Sequence, residues 1–130
     1  MRKHWVWMSI LLFVLALALS PALKAKDWVY LGNAHADGST DHDTIRVSTN
    51  QAFHAIQLRV NGGAVDFERV VVHYGGGGKD ELAVREHVGS GDKTDEIKLP
   101  GDHRTVESVE IWYAKEKLTQ RPEIQLYAAR

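Results

Sequence analysis

Apolar and polar residues alternate with period two along almost the whole chain beyond residue 27, and this pattern decides what it can fold into. Val29 and Leu31 alternate with Trp28 and Tyr30. Ile45 and Val47 flank Arg46, and Ile56, Leu58 and Val60 alternate with Gln57 and Arg59. Further rows are Val70-x-Val72-x-Tyr74, Leu82-x-Val84, Ile97-x-Leu99, Val109-x-Ile111-x-Tyr113 and Ile124-x-Leu126-x-Ala128. Successive side chains of a strand point to opposite faces, so each row is a half-buried strand. No stretch carries a helical period. Turn chemistry separates the rows at Asp37-Gly38, Asn61-Gly62-Gly63, Gly75 to Gly78, Gly89 to Asp92 and Pro100-Gly101-Asp102. One apolar and one wet face is the signature of antiparallel sheets. A lone sheet would leave its apolar face in water, so two sheets must pack or one must close. The expected fold is all-β: an antiparallel β-sandwich of about eight short strands, with a small closed barrel as the alternative.

The chain also echoes itself. Phe67-Glu68-Arg69-Val70-Val71-Val72-His73-Tyr74 matches Val106-Glu107-Ser108-Val109-Glu110-Ile111-Trp112-Tyr113, and each follows an Ile-x-Leu segment, at Ile56 and Ile97. In both, the apolar parity slips between the first residue and the valine. A slip of one residue reverses every later side chain, so a bulge or a tight turn is expected there. Either a two-strand unit is duplicated, or two similar hairpins happen to look alike.

The N-terminus reads differently. Basic residues at Arg2 and Lys3 precede an apolar run from Trp5 to Leu19, then Ser20-Pro21-Ala22. This is the layout of a signal peptide. Residues 1–22 are expected to be its helix, with cleavage after Ala22 or as late as Ala25, leaving one domain over 27–130. The run would span about 22 Å as a helix, short of the ~30 Å bilayer core, which disfavours a membrane anchor. The product is expected outside the cytoplasm, periplasmic or secreted, with no membrane insertion after cleavage. The whole chain carries a formal charge of −1, and loss of the leader removes two basic residues and no acid, so the remainder is more acidic. A chain with no basic excess lacks the footprint of a nucleic-acid binder. The absence of cysteine removes disulfides, thiol catalysis and thiolate zinc sites. A domain of roughly 105 residues can bury about 65% of its unfolded surface and does not require disulfides.

Five segments together carry a resemblance. They are Tyr30-Leu31-Gly32, Asp41-His42-Asp43-Thr44-Ile45-x-Val47, Ile56-x-Leu58-x-Val60, Val70-x-Val72-x-Tyr74-Gly75 and Arg104-x-Val106-x-x-Val109-x-Ile111-x-Tyr113. In these the chain resembles a family of small exported bacterial proteins, the group called domain of unknown function 2541. The resemblance implies an exported β-rich domain and supplies no activity. Asp43 and Arg104 are its polar positions.

Candidate sites are few. His35, Asp37, Asp41, His42 and Asp43 lie within nine residues and offer oxygen ligands for Ca²⁺ or imidazoles for Zn²⁺. The spacing is not that of an EF-hand, because the twelfth position counted from Asp37 is Ser48. Turn chemistry accounts for the same acids, Asp43 standing just ahead of a strand. The run Gly75 to Gly78 before Lys79 lacks the Ser or Thr and the helix of a phosphate loop, and is expected to be a hairpin turn. Tyr74 and Tyr113 share parity with the core rows. Trp28, Tyr30 and Trp112 lie on wet parity and are the candidate contacts for a glycan or protein partner. No Ser or Asp pairs with His54, His73, His87 or His103 by sequence logic, and no catalytic residue is expected. The expected function is a non-catalytic binding or structural module of the cell envelope. The alternatives are a domain stabilised by metal at 35–43, and an enzyme acting on an envelope glycan or peptide.

Overall fold

The computed structural model describes residues 26–36 and 41–130. The expected leader and the turn expected at Asp37-Gly38 lie outside the described residues. Among the described residues ten strands follow one another: β1 (Trp28–His35), β2 (His42–Arg46), β3 (Ala52–Phe53), β4 (Ala55–Asn61), β5 (Val65–Tyr74), β6 (Lys79–Leu82), β7 (Glu86–Val88), β8 (Ile97–Lys98), β9 (Arg104–Lys115) and β10 (Glu123–Ala129). They build two antiparallel sheets. One has the order β1-β10-β4-β8; the other has the order β2-β9-β5-β6, with β3 also on β9 and β7 also on β5. The sheets pack face to face as a sandwich and do not close into a barrel. All eight alternating rows fall in or beside strands. The two strands the alternation did not reveal, β3 and β7, are two and three residues long.

The core is the sum of the inward rows. Ile56, Leu58 and Val60 of β4 and Ile124, Leu126 and Ala128 of β10 face Val70, Val72 and Tyr74 of β5 and Val109, Ile111 and Tyr113 of β9, all nearly solvent-free. Each large aliphatic side chain so buried contributes on the order of 1.5–3 kcal/mol.

The two echoing segments pair with each other. Val71 faces Glu110 across β5 and β9, and the register runs symmetrically outward from that pair. Val70 meets Ile111 as Val72 meets Val109; Arg69 meets Trp112 as His73 meets Ser108; Phe67 meets Tyr113 as Tyr74 meets Val106. The register skips Glu68 on one strand and Glu107 on the other, so both parity slips are β-bulges. Ile56 faces Ile97 in the other sheet. The flanking strands obey the same approximate two-fold: Ile45 pairs with Val109 as Leu82 pairs with Val70, and Phe53 pairs with Arg104 as Val88 pairs with Val65. Asp43-Thr44-Ile45-Arg46-Val47 therefore corresponds to Asp80-Glu81-Leu82-Ala83-Val84. The repeated unit is four strands, β2–β5 and β6–β9, twice what the sequence echo suggested. The units interlock, because β2 and β3 pair with β9 while β6 and β7 pair with β5.

Two glycine segments are forced by geometry. Gly77 and Gly78 turn the β5–β6 hairpin at φ +89° and +90°, where a Cβ is strained. This is the hairpin turn expected from the four-glycine run. Gly32 follows a bulge at Leu31 in β1, and a Cβ on it would stand 2.9 Å from Ile45 Cγ2.

Candidate binding faces

The outer face of the six-stranded sheet is knitted together by its own side chains. Trp112 of β9 has His42 directly across on β2 and Arg69 directly across on β5. The His42 ring stacks on the indole with centroids 4.4 Å apart, and the Arg69 guanidinium lies 3.9 Å from the indole centroid. Because β2 and β5 flank β9 on opposite sides, the two cover opposite faces of the indole. Arg69 also reaches Glu81 at 3.2 Å. One step along β9, Glu110 accepts from His42 Nε2 at 2.9 Å on one oxygen and from His73 Nε2 on the other. Those hydrogen bonds, first from His73 and then from His42, hold the Glu110 carboxyl below its usual range, against the opposing effect of partial burial.

The outer face of the four-stranded sheet is aromatic and rich in amides. Tyr30 of β1 faces Tyr127 of β10 in register, with the rings edge to face at 5.5 Å. On the other side of Tyr127, the Arg59 guanidinium of β4 sits 3.8 Å from the ring centroid. Tyr127 is therefore filled on both sides, while Tyr30 on the edge strand stays 49% exposed. Trp28, two residues back on the same parity, is partly buried. Along this face Glu123 accepts from Asn33 at 2.7 Å and from Gln125 at 3.0 Å. A cleft of about 290 Å³ opens beside Tyr127, lined also by Arg59, Asn61, Asp92, Lys93 and Gln125.

Trp28 and Tyr30 thus share one face, but Trp112 lies on the opposite side of the sandwich with its ring covered. Parity places a side chain outward without saying from which sheet. The 35–43 cluster is divided in the same way. His35 lies 3.7 Å from Glu123 at the end of β1. Asp37 falls outside the described residues. The Asp41 carbonyl accepts from the Tyr113 N–H at 2.9 Å. His42 and Asp43 are neighbours in β2 and point to opposite faces, His42 outward to Glu110 and Asp43 to the Tyr113 hydroxyl at 2.6 Å. Asp43 is a strand residue, which corrects its placement ahead of the strand. Among the described residues no group of three or more His, Asp or Glu side chains could hold a metal ion.

Of His54, His73, His87 and His103, two have acid partners that no sequence motif pairs with them. His73 pairs with Glu110, and His87 Nδ1 lies 2.5 Å from Asp66, its register partner between β7 and β5. The Asp66 hydrogen bond raises the His87 pKa. Arg104, at the start of β9, stands 3.7 Å over the Tyr74 ring and 3.9 Å from Asp80. Tyr127 and Arg59 were not singled out as parts of this candidate face. Both lie at wet-parity positions, and only the strand order β1-β10-β4 brings them to Tyr30.

The fold and these faces define a class: an antiparallel sandwich built on an internal four-strand repeat, with one ion-paired and one aromatic outer face. The chain belongs to the family described as Domain of unknown function (DUF2541), whose model matches residues 9–128. No curated protein and no solved structure matches it.

Proposed function

We propose that this chain is exported behind a cleaved leader and acts as a non-catalytic module that binds an envelope glycan on the outer face of its four-stranded sheet. The observation that carries the reading is Tyr30, a half-exposed ring propped edge to face on Tyr127, with Arg59 on the far side of Tyr127 and the pair Asn33 and Gln125 further along the same two strands. A fixed aromatic ring beside amide and guanidinium donors suits the apolar face and hydroxyl rim of a sugar. Three outward acids of the six-stranded sheet are engaged by basic side chains, Glu110 by two imidazoles, Glu81 by Arg69 and Asp66 by His87, which supports the non-catalytic part. The basic-apolar-small layout of residues 1–22 supports export.

Calorimetric titration of the domain with wall-derived oligosaccharides tests this. Binding should weaken at least about tenfold in Tyr30→Ala, a loss of ~1.4 kcal/mol, with the thermal midpoint nearly unmoved. Absence of binding to every sugar, or binding indifferent to Tyr30, ends the reading. A purified product still beginning at Met1 ends its export part.

A further inference from the structure

Arg59 is held firmly and yet left with donors to spare. Its Nε donates to Gln57 Oε1 at 3.1 Å, and Gln57 is itself 6% exposed and donates from Nε2 to the Thr94 carbonyl at 3.2 Å. Tyr127 supports the guanidinium plane from below. Position and orientation are thus set by a buried amide and a ring. Among the described residues, the terminal nitrogens of Arg59 meet no acceptor. Arg69, Arg104 and Arg130 each have a carboxylate within 4 Å; among the described residues Arg46 and Arg85 have none either, but neither lines this cleft.

Lys93 is the bridge partner of Arg59 on the neighbouring backbone segment, and it too pairs with no acid among the described residues. Both line the cleft of about 290 Å³. Asp92, the one carboxylate of that lining, forms an ion pair with neither. Two uncompensated cations in one concavity favour an anion. A guanidinium already fixed in plane loses little freedom on binding and matches an oxyanion with two parallel N–H bonds.

We propose that this cleft is an oxyanion subsite of the glycan face: the bound sugar chain carries a carboxylate or phosphate that accepts from the Arg59 terminal nitrogens with the Lys93 ammonium beside it. The inference rests on the glycan reading above, since the ring beneath Arg59 is the one that props Tyr30.

The test titrates the domain with three chains of equal length on the same β-1,4 amino-sugar backbone. One is a neutral chito-oligosaccharide, one is a peptide-free chain with N-acetylmuramic acid carboxylates, and one is a phosphorylated chito-oligosaccharide. At least one anionic chain should bind about tenfold or more tighter than the neutral one at low salt, with the advantage shrinking in 0.5 M salt as charges are screened. Which anionic chain gains identifies the group. Arg59→Gln and Lys93→Gln should each bring the anionic chain toward the neutral one; Lys93 is exposed and supports nothing in the fold, so its variant separates charge from folding. Equal affinity for all three chains, lost in Tyr30→Ala, overturns the oxyanion subsite and leaves the glycan reading standing. Binding of none removes both, and an anion preference untouched by either substitution removes the assignment to this cleft.

Discussion

The Tyr113 hydroxyl donates to the Asp43 carboxylate at 2.6 Å, joining residues 70 positions apart. Its counterpart under the internal two-fold is Tyr74, which donates to Asp80 at 2.8 Å only six positions away. Each buried tyrosine is therefore fastened at its rim to the adjacent strand, β2 or β6, by the same device. Tyr113→Phe and Tyr74→Phe should each cost about 1–2 kcal/mol in urea unfolding, the range for a hydrogen bond to a charged acceptor still open to water on one side. A midpoint unmoved in both would show that ring packing alone holds these strands.

The same pair makes an alkaline prediction. Burial and then the Asp80 carboxylate push the Tyr74 pKa up to about 12, with Arg104 pulling the other way. A raised folded pKa contributes stability that is complete below the unfolded value near 10 and is lost as pH climbs from there through the folded value. Absorbance titration should show Tyr74 ionising late, the component being the one lost in Tyr74→Phe, and Asp80→Asn should bring it earlier. A single transition near pH 10 for all tyrosines would refute this.

How much of this arrangement the sequence disclosed follows from what alternation can encode. It puts Ile56 on the inward face and Arg59 on the outward one whatever the partner strand, so the sandwich and its core were legible; that Gln57, on the outward face, is itself covered was not. The parity slip between Phe67 and Val70 disclosed the bulge at Glu68, because a bulge leaves its mark within one strand. Nothing local reports which strands become neighbours. Trp28, Tyr30 and Trp112 looked alike for that reason, and Arg59 looked like any outward residue. Asp43 was placed before its strand because aspartate is common in turns, where its side chain bonds nearby backbone N–H groups. The bond that keeps it in β2 comes from Tyr113 in the other repeat. Segments as short as Ala52–Phe53 are too brief to show a period at all.

Glu110 gives an acid-side prediction. Its folded pKa is depressed by the His73 and His42 hydrogen bonds, so its contribution is present above the unfolded carboxyl value near 4.3 and is lost as pH falls through the folded one. Glu110→Gln should lower the thermal midpoint at pH 7, and the gap from the parent should narrow as the pH drops below about 4. A gap that is constant or widens over that range would mean the carboxylate charge is not what the two imidazoles hold.

Gly32 bears on how closely β1 approaches β2. Because a Cβ there would stand 2.9 Å from Ile45 Cγ2 of the buried Ile45 side chain, Gly32→Ala should cost about 1–3 kcal/mol, the usual cost of overpacking. Leucine lacks that branch carbon, so the same substitution in an Ile45→Leu background should cost less. The difference is a coupling energy measurable in a double-mutant cycle. Strict additivity would place the cost in the backbone of the bulge instead.

Trp112 separates a clamped ring from a binding platform. With His42 on one face and Arg69 on the other, the indole spans three strands as a rivet and offers no face for a sugar. Stacking and cation–π contacts of this kind are each worth about 0.5–1.5 kcal/mol beyond the burial of the ring. Trp112→Ala should therefore lower stability by about 2 kcal/mol in urea unfolding while leaving affinity for any oligosaccharide bound near Tyr30 unchanged, because the two lie on opposite sides of the sandwich. If the variant keeps the parent midpoint but loses the sugar, the ligand belongs on the six-stranded sheet, and the choice of Tyr30 as the contact is wrong.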